Sequence, residues 1–494
     1  MTTATTTLGI IGAGAMGQGI AQVAAQNGIM AILLDAAPGA AEKGRAAVMQ
    51  RIDKLAAKGQ ADAAAAGALL KVASGYADFA PCDFVVEAVV ERLDVKQAVF
   101  AELEKVVRDD AILASNPSSL PIGSIARTCR KPERVAGLHF FNPVPVMKLV
   151  EVVRGPASSE ATVRALLDLG TRLGRTPIEV KDTPGFLVNL GGRALNTEAL
   201  AILQENVAPC ATIDAILRDC CGFRMGPFEL MDLTGMDVNF PVTEIVWNGY
   251  FNDPRLRSTP FHASLFRSGL LGRKTGSGYY HYQDGKAVLP EATPPTGSPP
   301  KAVVLAEDHE LLRTLCAAAK VEVLARDDSK SPILAAPWGE DCTALSQRLK
   351  LDAKRLVAID PAGKTDGRVT LMTAPGADAA VRDSVAALCR DAGRQVSVIA
   401  DSPGFVAQRV VAMVANLACE IAQMQLADPA SVDKAYQLAL AYPMGPLAMA
   451  DAWGVKRIYD VLVTLQQITG DDRYRPSQWL RRRALLGLSA LTPA

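Results

Sequence analysis

Histidine is scarce in this chain of 494 residues: there are four, at positions 139, 262, 281 and 309. A reaction that needs an imidazole base therefore has few candidates. An excess of charge of one sign is missing too, with 52 basic against 52 acidic residues, so no net field draws the chain to nucleic acid or a membrane surface. No run reaches the roughly 20 apolar residues of a spanning helix. The nine cysteines are odd in number and contain no C-x-x-C pair, and adjacent Cys220 and Cys221 suit a core or turn better than a metal site. That usage fits a reducing compartment rather than a disulfide framework. Residues 1–7 lack the basic start, apolar stretch and cleavage site of a secretory signal. The expectation is a cytoplasmic protein with no metal, no nucleic acid and no membrane among its partners.

What is present begins at residue 8. An apolar strand, residues 8–11, runs into Gly12-Ala-Gly-Ala-Met-Gly17 and a helical stretch, residues 20–27. The spacing is G-x-G-x-x-G. The first glycine permits a tight turn, the second lets a pyrophosphate approach the backbone, and the third lets helix and strand pack closely. Free N–H groups and the dipole at the helix start favour phosphate. A second strand, residues 30–34, ends in Asp35, placed to bond a ribose 2′-hydroxyl and so to favour NAD over NADP.

Length predicts about three or four domains. A long helix is expected from residue 38 to 71, with Arg51, Lys54 and Lys58 on one face. Strands follow near 84–90, 111–115, 135–139 and 147–153, with a helix over 95–107. This alternation predicts an α/β doubly wound parallel sheet ending near Val180. From residue 187 the pattern turns helical, with an apolar face at Leu195, Ala199, Ile202 and Leu203. Pro290, Pro294, Pro295, Pro299 and Pro300 then mark a linker.

Beyond the linker the chain repeats. Asp401-Ser-Pro-Gly-Phe405 echoes Asp182-Thr-Pro-Gly-Phe186 at an offset of 219 residues, and Met444-Gly-Pro echoes Met225-Gly-Pro at the same offset. Asp451 and Gly454 likewise echo Asp232 and Gly235. Residues 332–335 and 355–359 match 111–114 and 134–138 at an offset of 221, but the stretch after Leu305 has no glycine turn. The expected layout is an NAD-binding Rossmann domain (1–182), a helical domain (183–282), the linker (283–300), a degenerate Rossmann-like domain without a dinucleotide (301–400) and a second helical domain (401–494).

Of the four histidines only His139 ends a predicted sheet strand, at the carboxyl edge where open α/β sheets bind ligands. Histidine as a residue type suits a base for a hydroxyl proton. Glu151, in the following strand, is either its carboxylate partner or an exposed strand residue; spacing alone leaves both open.

The blocks Gly12-Ala-Gly-Ala-Met-Gly-Gln-Gly19, Val86-Glu-Ala-Val-Val-Glu91, Ser115-Asn-Pro-Ser-Ser-Leu120, His139-Phe-Phe-Asn-Pro-Val-Pro145 and Lys181-Asp-Thr-Pro-Gly-Phe-Leu-Val-Asn189 together resemble the 3-hydroxyacyl-CoA dehydrogenase family. The layout is similar to its long bacterial form, in which a degraded second copy follows the active one. The resemblance implies NAD-dependent oxidation of a (3S)-3-hydroxyacyl-CoA, of the 3-hydroxybutyryl or 3-hydroxyadipyl type, in fatty-acid or phenylacetate breakdown. It implies that His139 is the base, that Glu151 supports it, and that Ser118 and Asn189 hold the substrate. NAD is implied to meet Gly12, Gly14, Ala15, Met16, Gly17, Asp35, Glu91, Lys96 and Asn116, and CoA to meet Lys58 and Arg51. Pro117 departs from the threonine common in that serine loop. By the two offsets Ser118, His139, Glu151 and Asn189 fall opposite Gly339, Asp360, Thr370 and Gln408, so the second copy is expected to be silent. Two other readings stand beside this one. The G-x-G-x-M-G turn is shared with β-hydroxyacid dehydrogenases acting on a free acid, whose catalytic lysine lies in the helical domain, whereas Lys181 stands ahead of the first helix there. The degenerate half suits a scaffold or partner-binding module. The family resemblance further implies a homodimer, or its imitation by the two helical domains within one chain. Acyl-chain length is not written in the pattern.

Overall fold

The computed structural model describes residues 6–289 and 297–493, so Pro290, Pro294 and Pro295 of the expected linker lie outside the described residues. The chain forms two compact units: residues 1–190 with 425–440, and residues 191–424 with 441–494.

The first unit is built on an eight-stranded sheet of order β3-β2-β1-β4-β5-β6-β7-β8. Its strands are β1 (Thr7–Ile11), β2 (Met30–Leu34), β3 (Leu70–Val72), β4 (Phe84–Glu87), β5 (Ile112–Ser115), β6 (Val135–Phe140), β7 (Leu149–Arg154) and β8 (Thr176–Lys181). Leu8, Ile10, Leu33, Val86, Leu138 and Val152 are fully buried, as expected of strands covered on both faces. The sheet is not wholly parallel as the alternation predicts, because β7 runs antiparallel to β6. The physical reason is length. A parallel crossover takes roughly a dozen residues or more, and the segment 141–148 is too short for one. The helix expected over 38–71 is also broken. It runs Ala40–Ala56, stops at a turn containing Gly59 (φ 68°), and resumes at Ala63–Leu69 behind Asp62, whose carboxylate accepts the Ala65 N–H at 3.0 Å. Lys58 therefore lies in the turn and not on the helix face with Arg51.

The second unit carries a six-stranded sheet, reached through the hairpin β9 (His281–Gln283) and β10 (Lys286–Val288), which occupies the start of the stretch read as linker. The sheet order is β12-β11-β13-β14-β15-β16. Its strands are β11 (Ala302–Leu305), β12 (Glu322–Leu324), β13 (Ile333–Ala335), β14 (Leu356–Ile359), β15 (Arg368–Met372) and β16 (Gln395–Ile399). Here β14 and β15 are antiparallel, repeating the reversal of β6 and β7. After β11 the helix Glu310–Ala318 starts behind His309, whose ring Nδ1 accepts the Leu311 N–H at 3.2 Å. A side-chain cap thus occupies the first turn that the glycines leave open in the first copy.

Both copies of the Met-Gly-Pro motif begin a helix with proline in its first turn, at Pro227–Thr234 and Pro446–Trp453, where the missing N–H has no helical partner to lose. The long helices Arg193–Gln204 and Ala407–Gln423 pack on each other. Arg409 is fully buried at their contact. Its guanidinium donates to Glu198 (2.9 Å), Glu205 (2.6 and 3.0 Å), the Ser402 hydroxyl (3.0 Å) and the Tyr474 hydroxyl (2.6 Å), and Tyr474 donates to Glu198 at 2.9 Å.

Two shorter helices are exchanged. Cys210–Cys221, from the first helical copy, packs on β15 in the second unit. Pro429–Ala439, from the second copy, packs on β7 in the first unit, burying Val432, Ala435 and Tyr436. Just before it, the Leu426 carbonyl accepts the Lys181 N–H at 3.1 Å.

Candidate active site

The glycine turn is shaped by contacts with the neighbouring backbone. Gly12 has φ 105°, and a Cβ there would meet the Ala88 carbonyl oxygen at 2.5 Å. A Cβ on Gly17 would run into the Gly12 carbonyl oxygen, which is backbone and has no rotamer to escape by. Gly14 faces open space, and Gly14 and Ala15 are exposed at the start of the helix Ala15–Gln26, with Met16 half-buried beside them. Asp35 closes the turn: its carboxylate accepts the Ala13 N–H at 2.7 Å and the Ala37 N–H at 2.9 Å. A cavity of about 490 Å³ opens here, lined by Gly12, Gly14, Asp35, Tyr76 and Val89 among others. Gly17→Ala is expected to weaken dinucleotide binding at least about tenfold in a fluorescence titration, since helix and turn must separate to admit the methyl.

Antiparallel pairing of β6 and β7 puts His139 directly opposite Glu151. The His139 Nδ1 lies 2.7 Å from Glu151 Oε2, with the ring against Phe141 and Phe186. Glu151 is fully buried, and its other oxygen accepts the N–H groups of Leu187 (3.1 Å) and Val188 (2.9 Å). The carboxylate is thus fixed from both sides, which leaves the imidazole one orientation. Ser118 is exposed on the loop after β5, and the Asn189 side-chain amide donates to the Ser118 carbonyl at 3.3 Å. Asn116 reaches across to accept the Phe140 N–H at 2.8 Å, tying the ends of β5 and β6 together.

Glu91 gathers that serine loop. One of its oxygens accepts the N–H groups of Ser118 (2.8 Å), Ser119 (2.8 Å) and Leu120 (3.1 Å). Burial works to raise its pKa, but Lys96 and the three N–H groups outweigh it and hold the carboxyl below its ordinary value. Lys96 is fully buried, with its ammonium 2.7 Å from Glu87 and 3.3 Å from Glu91. Glu87 also accepts the Ser115 hydroxyl at 2.6 Å and the Val89 N–H at 2.7 Å. Sequence reasoning assigned Glu87 no role, although it stands in the Val86–Glu91 block, and the cue was a carboxylate at the end of an otherwise apolar strand.

A second cavity of the first unit, about 730 Å³, is lined by Gln18, Gln22, Arg51, Lys54, Lys58 and the loop 142–146. Arg51 is held over it by Gln22 (2.9 Å) and Gln18 (3.2 Å). Lys181 sits elsewhere. It pairs with Arg154 rather than Glu151, three residues along β7, which is roughly 10 Å of strand.

The comparisons with known proteins meet this geometry. Residues 7–183 match the family described as 3-hydroxyacyl-CoA dehydrogenase, NAD binding domain. The C-terminal domain of the same family matches twice, at residues 185–282 and 404–490. The 3-hydroxyadipyl-CoA dehydrogenase of Escherichia coli K12 is 39% identical over 487 residues, covering 97% of this chain and 98% of that protein. The chain belongs to the 3-hydroxyacyl-CoA dehydrogenase family. It is an oxidoreductase with the long, duplicated layout. The crystal structure of a 3-hydroxybutyryl-CoA dehydrogenase from E. coli K12 superposes with a TM-score of 0.85 at 36% identity, over 98% of this chain and 99% of that one. The 3-hydroxybutyryl-CoA dehydrogenase of Clostridioides difficile is 36% identical over 278 residues, which is 99% of its length but 56% of this chain. Among the described residues of this dehydrogenase no helix is long and apolar enough to cross a membrane.

The second copy brings its counterparts together too, with different chemistry. Gln408 donates to Asp360 at 2.8 Å and to the Pro337 carbonyl at 3.1 Å, and its own oxygen accepts the Gly339 N–H at 2.8 Å. The Asp360 N–H donates to the Thr370 carbonyl at 2.9 Å. Burial pushes the Asp360 carboxyl up to about 7, with Gln408 and the Ala362 N–H opposing. A carboxyl raised in the folded state contributes stability below its unfolded pKa of about 3.9, and that contribution is lost as pH rises toward 7. Asp360→Asn keeps an oxygen for both donors. Its melting temperature is expected to gain on the parent as pH rises from about 4 to 7 and to hold that lead above 7.

Proposed function

We propose that the chain oxidises (3S)-3-hydroxyacyl-CoA thioesters to 3-oxoacyl-CoA with NAD, using one active site in the first copy. The observation that carries this reading is the His139–Glu151 pair at the carboxyl end of β6. With Nδ1 engaged by the carboxylate, Nε2 is the nitrogen available to take the 3-hydroxyl proton. Glu151 then faces a newly formed imidazolium and offsets its charge. The Ser118 hydroxyl and Asn189 amide hold the substrate oxygen, and Glu91 keeps the loop of Ser118 in place through its three backbone N–H partners. NAD bound at the glycine turn supplies the hydride acceptor. Gly12, Gly14, Ala15, Met16 and Gly17 cradle its pyrophosphate, and Asp35 takes the adenine-side ribose and repels a 2′-phosphate. Glu91 and Asn116 border the nicotinamide end. Lys96, being fully buried, acts there through Glu91 rather than by direct contact. Arg51 and Lys58 meet the CoA phosphates in the cavity beside the loop 142–146.

The packing of Arg193–Gln204 on Ala407–Gln423 supports reading the two helical copies as an intramolecular pseudo-dimer. A reducing cytoplasm suits a chain whose nine cysteines form no disulfide. The long relative's name favours a short acyl chain, of the hydroxyadipyl or hydroxybutyryl type. The test is turnover on a panel of 3-hydroxyacyl-CoA thioesters and free 3-hydroxybutyrate, with NAD or NADP. Thioesters with NAD are expected to be preferred, those of the hydroxybutyryl or hydroxyadipyl type most strongly. Folded protein that turns over only the free acid, or nothing, overturns the reading.

A further inference from the structure

The second copy has exchanged its catalytic groups but still holds a crevice. A cavity of about 580 Å³ opens in the second unit, lined by Trp338, Lys364, Met444, Met449, Trp453 and Arg457 among others. Trp338 follows the end of β13 and Lys364 lies on the loop after β14, so the cavity stands outside the carboxyl ends of two neighbouring parallel strands. Open α/β sheets bind ligands there. By the repeat, Trp338 immediately precedes the counterpart of Ser118, and Pro361, also in the lining, immediately follows the counterpart of His139. The loop is anchored by the Lys364 N–H, which donates to the Cys220 carbonyl at 2.8 Å. No base or hydroxyl faces the crevice from those counterparts, since Gly339 has no side chain and Asp360 is buried against Gln408.

Its lining is chemically one-sided. No carboxylate lines it, while Lys364 and Arg457 bring two positive charges, and neither forms an ion pair among the described residues. Of the acids alongside, Asp460 is engaged by Lys456, Asp451 by the Ser489 hydroxyl and the Ala490 N–H at 2.7 Å, and Asp219 by Arg368 at 2.7 Å, while Asp366 stands near Cys220. The Arg457 guanidinium lies 4.6 Å over the Trp338 ring and donates to the Trp453 carbonyl at 3.2 Å. Stacking holds the charge in position before any ligand arrives. Trp338 and Trp453 meet edge-on, 6.0 Å apart at 80°, and both line the cavity. Its volume falls within the range of small-molecule sites.

We propose that this cavity is a second, non-catalytic ligand site that binds a small planar-ring anion, with the ring against the indoles and the anionic group at Lys364 and Arg457. Two kinds of molecule share that chemistry: an adenine nucleotide and an aryl carboxylate. The full chain is titrated by calorimetry with AMP and, separately, with benzoate, in saturating NAD so that the first copy's turn is filled. Saturable binding of one or both is expected, and the ligand that binds identifies the source. Lys364→Ala with Arg457→Ala, and separately Trp338→Leu, are expected to weaken it at least about tenfold, the scale of a lost charge-assisted contact. Turnover with a 3-hydroxyacyl-CoA should stay within about twofold in both variants, which also shows that they fold. Absence of saturable binding of either ligand up to roughly millimolar concentration overturns the proposal, as does equal affinity in the parent and the variants.

Discussion

His139→Gln is expected to cut turnover of 3-hydroxyacyl-CoA by roughly 10²–10⁴-fold while leaving the affinity for NAD nearly unchanged. The range is that of a general base removed from an otherwise intact site. Glutamine keeps a polar group opposite Glu151 and does not disturb the β6–β7 pairing, so the loss reports chemistry rather than folding. Glu151→Gln tests the other half of the pair. The Leu187 and Val188 N–H groups select the amide oxygen of a glutamine, which turns its NH2 toward His139 Nδ1. The imidazole then carries its proton on Nε2, the nitrogen proposed as the base. Turnover is expected to fall by at least about 10²-fold, with little change in the KM for NAD. Stopped-flow and steady-state kinetics separate these effects, and unchanged turnover in His139→Gln would remove that residue from the mechanism.

Arg409→Met is expected to destabilise the second unit by about 3–5 kcal/mol, the usual cost of breaking a buried ion pair by removing one partner. All five guanidinium N–H groups are used, and Glu198 is fully buried beside them. Methionine fills much of the volume but leaves Glu198 with Tyr474 and with Arg473 at 3.2 Å. Glu205 is the control. Its side chain is 47% exposed, so Glu205→Gln should cost no more than about 1 kcal/mol. Denaturant unfolding followed by far-ultraviolet circular dichroism compares the two. Equal midpoints for Arg409→Met and its parent would show that the network contributes nothing net.

The glycine turn and Asp35 are legible in the sequence because the spacing that marks them is contained in residues 8–35, although the Ala88 carbonyl that closes on Gly12 comes from much further along the chain. His139 is legible by elimination, as the one histidine ending a strand, whereas its contact with Glu151 depends on the reversal of β7. Loop length was the cue to that reversal: a strand that resumes after 141–148 has no room to return parallel. The same applies to the Gly59 turn, which the helical composition around it conceals. The Glu87–Lys96–Ser115 group could not be assembled from sequence, since its members come from two strands and a helix and meet only in the buried layer beneath the loop. The duplication was visible through two fixed offsets. The exchange of helices was not, because an offset says which segments are equivalent and nothing about which sheet each one covers.

That exchange has a consequence for how the chain is made. The helix Pro429–Ala439 covers β7 of the first unit and buries its own Val432, Ala435 and Tyr436 in doing so, so the unit is completed by residues more than two hundred positions downstream. Contacts of such sequence separation form late and slow folding. At roughly 5–20 residues per second of synthesis, the residues up to 190 leave the ribosome tens of seconds before the helix that finishes their unit. For that interval one flank of the nascent sheet stays uncovered, and the two copies mature together instead of one after the other.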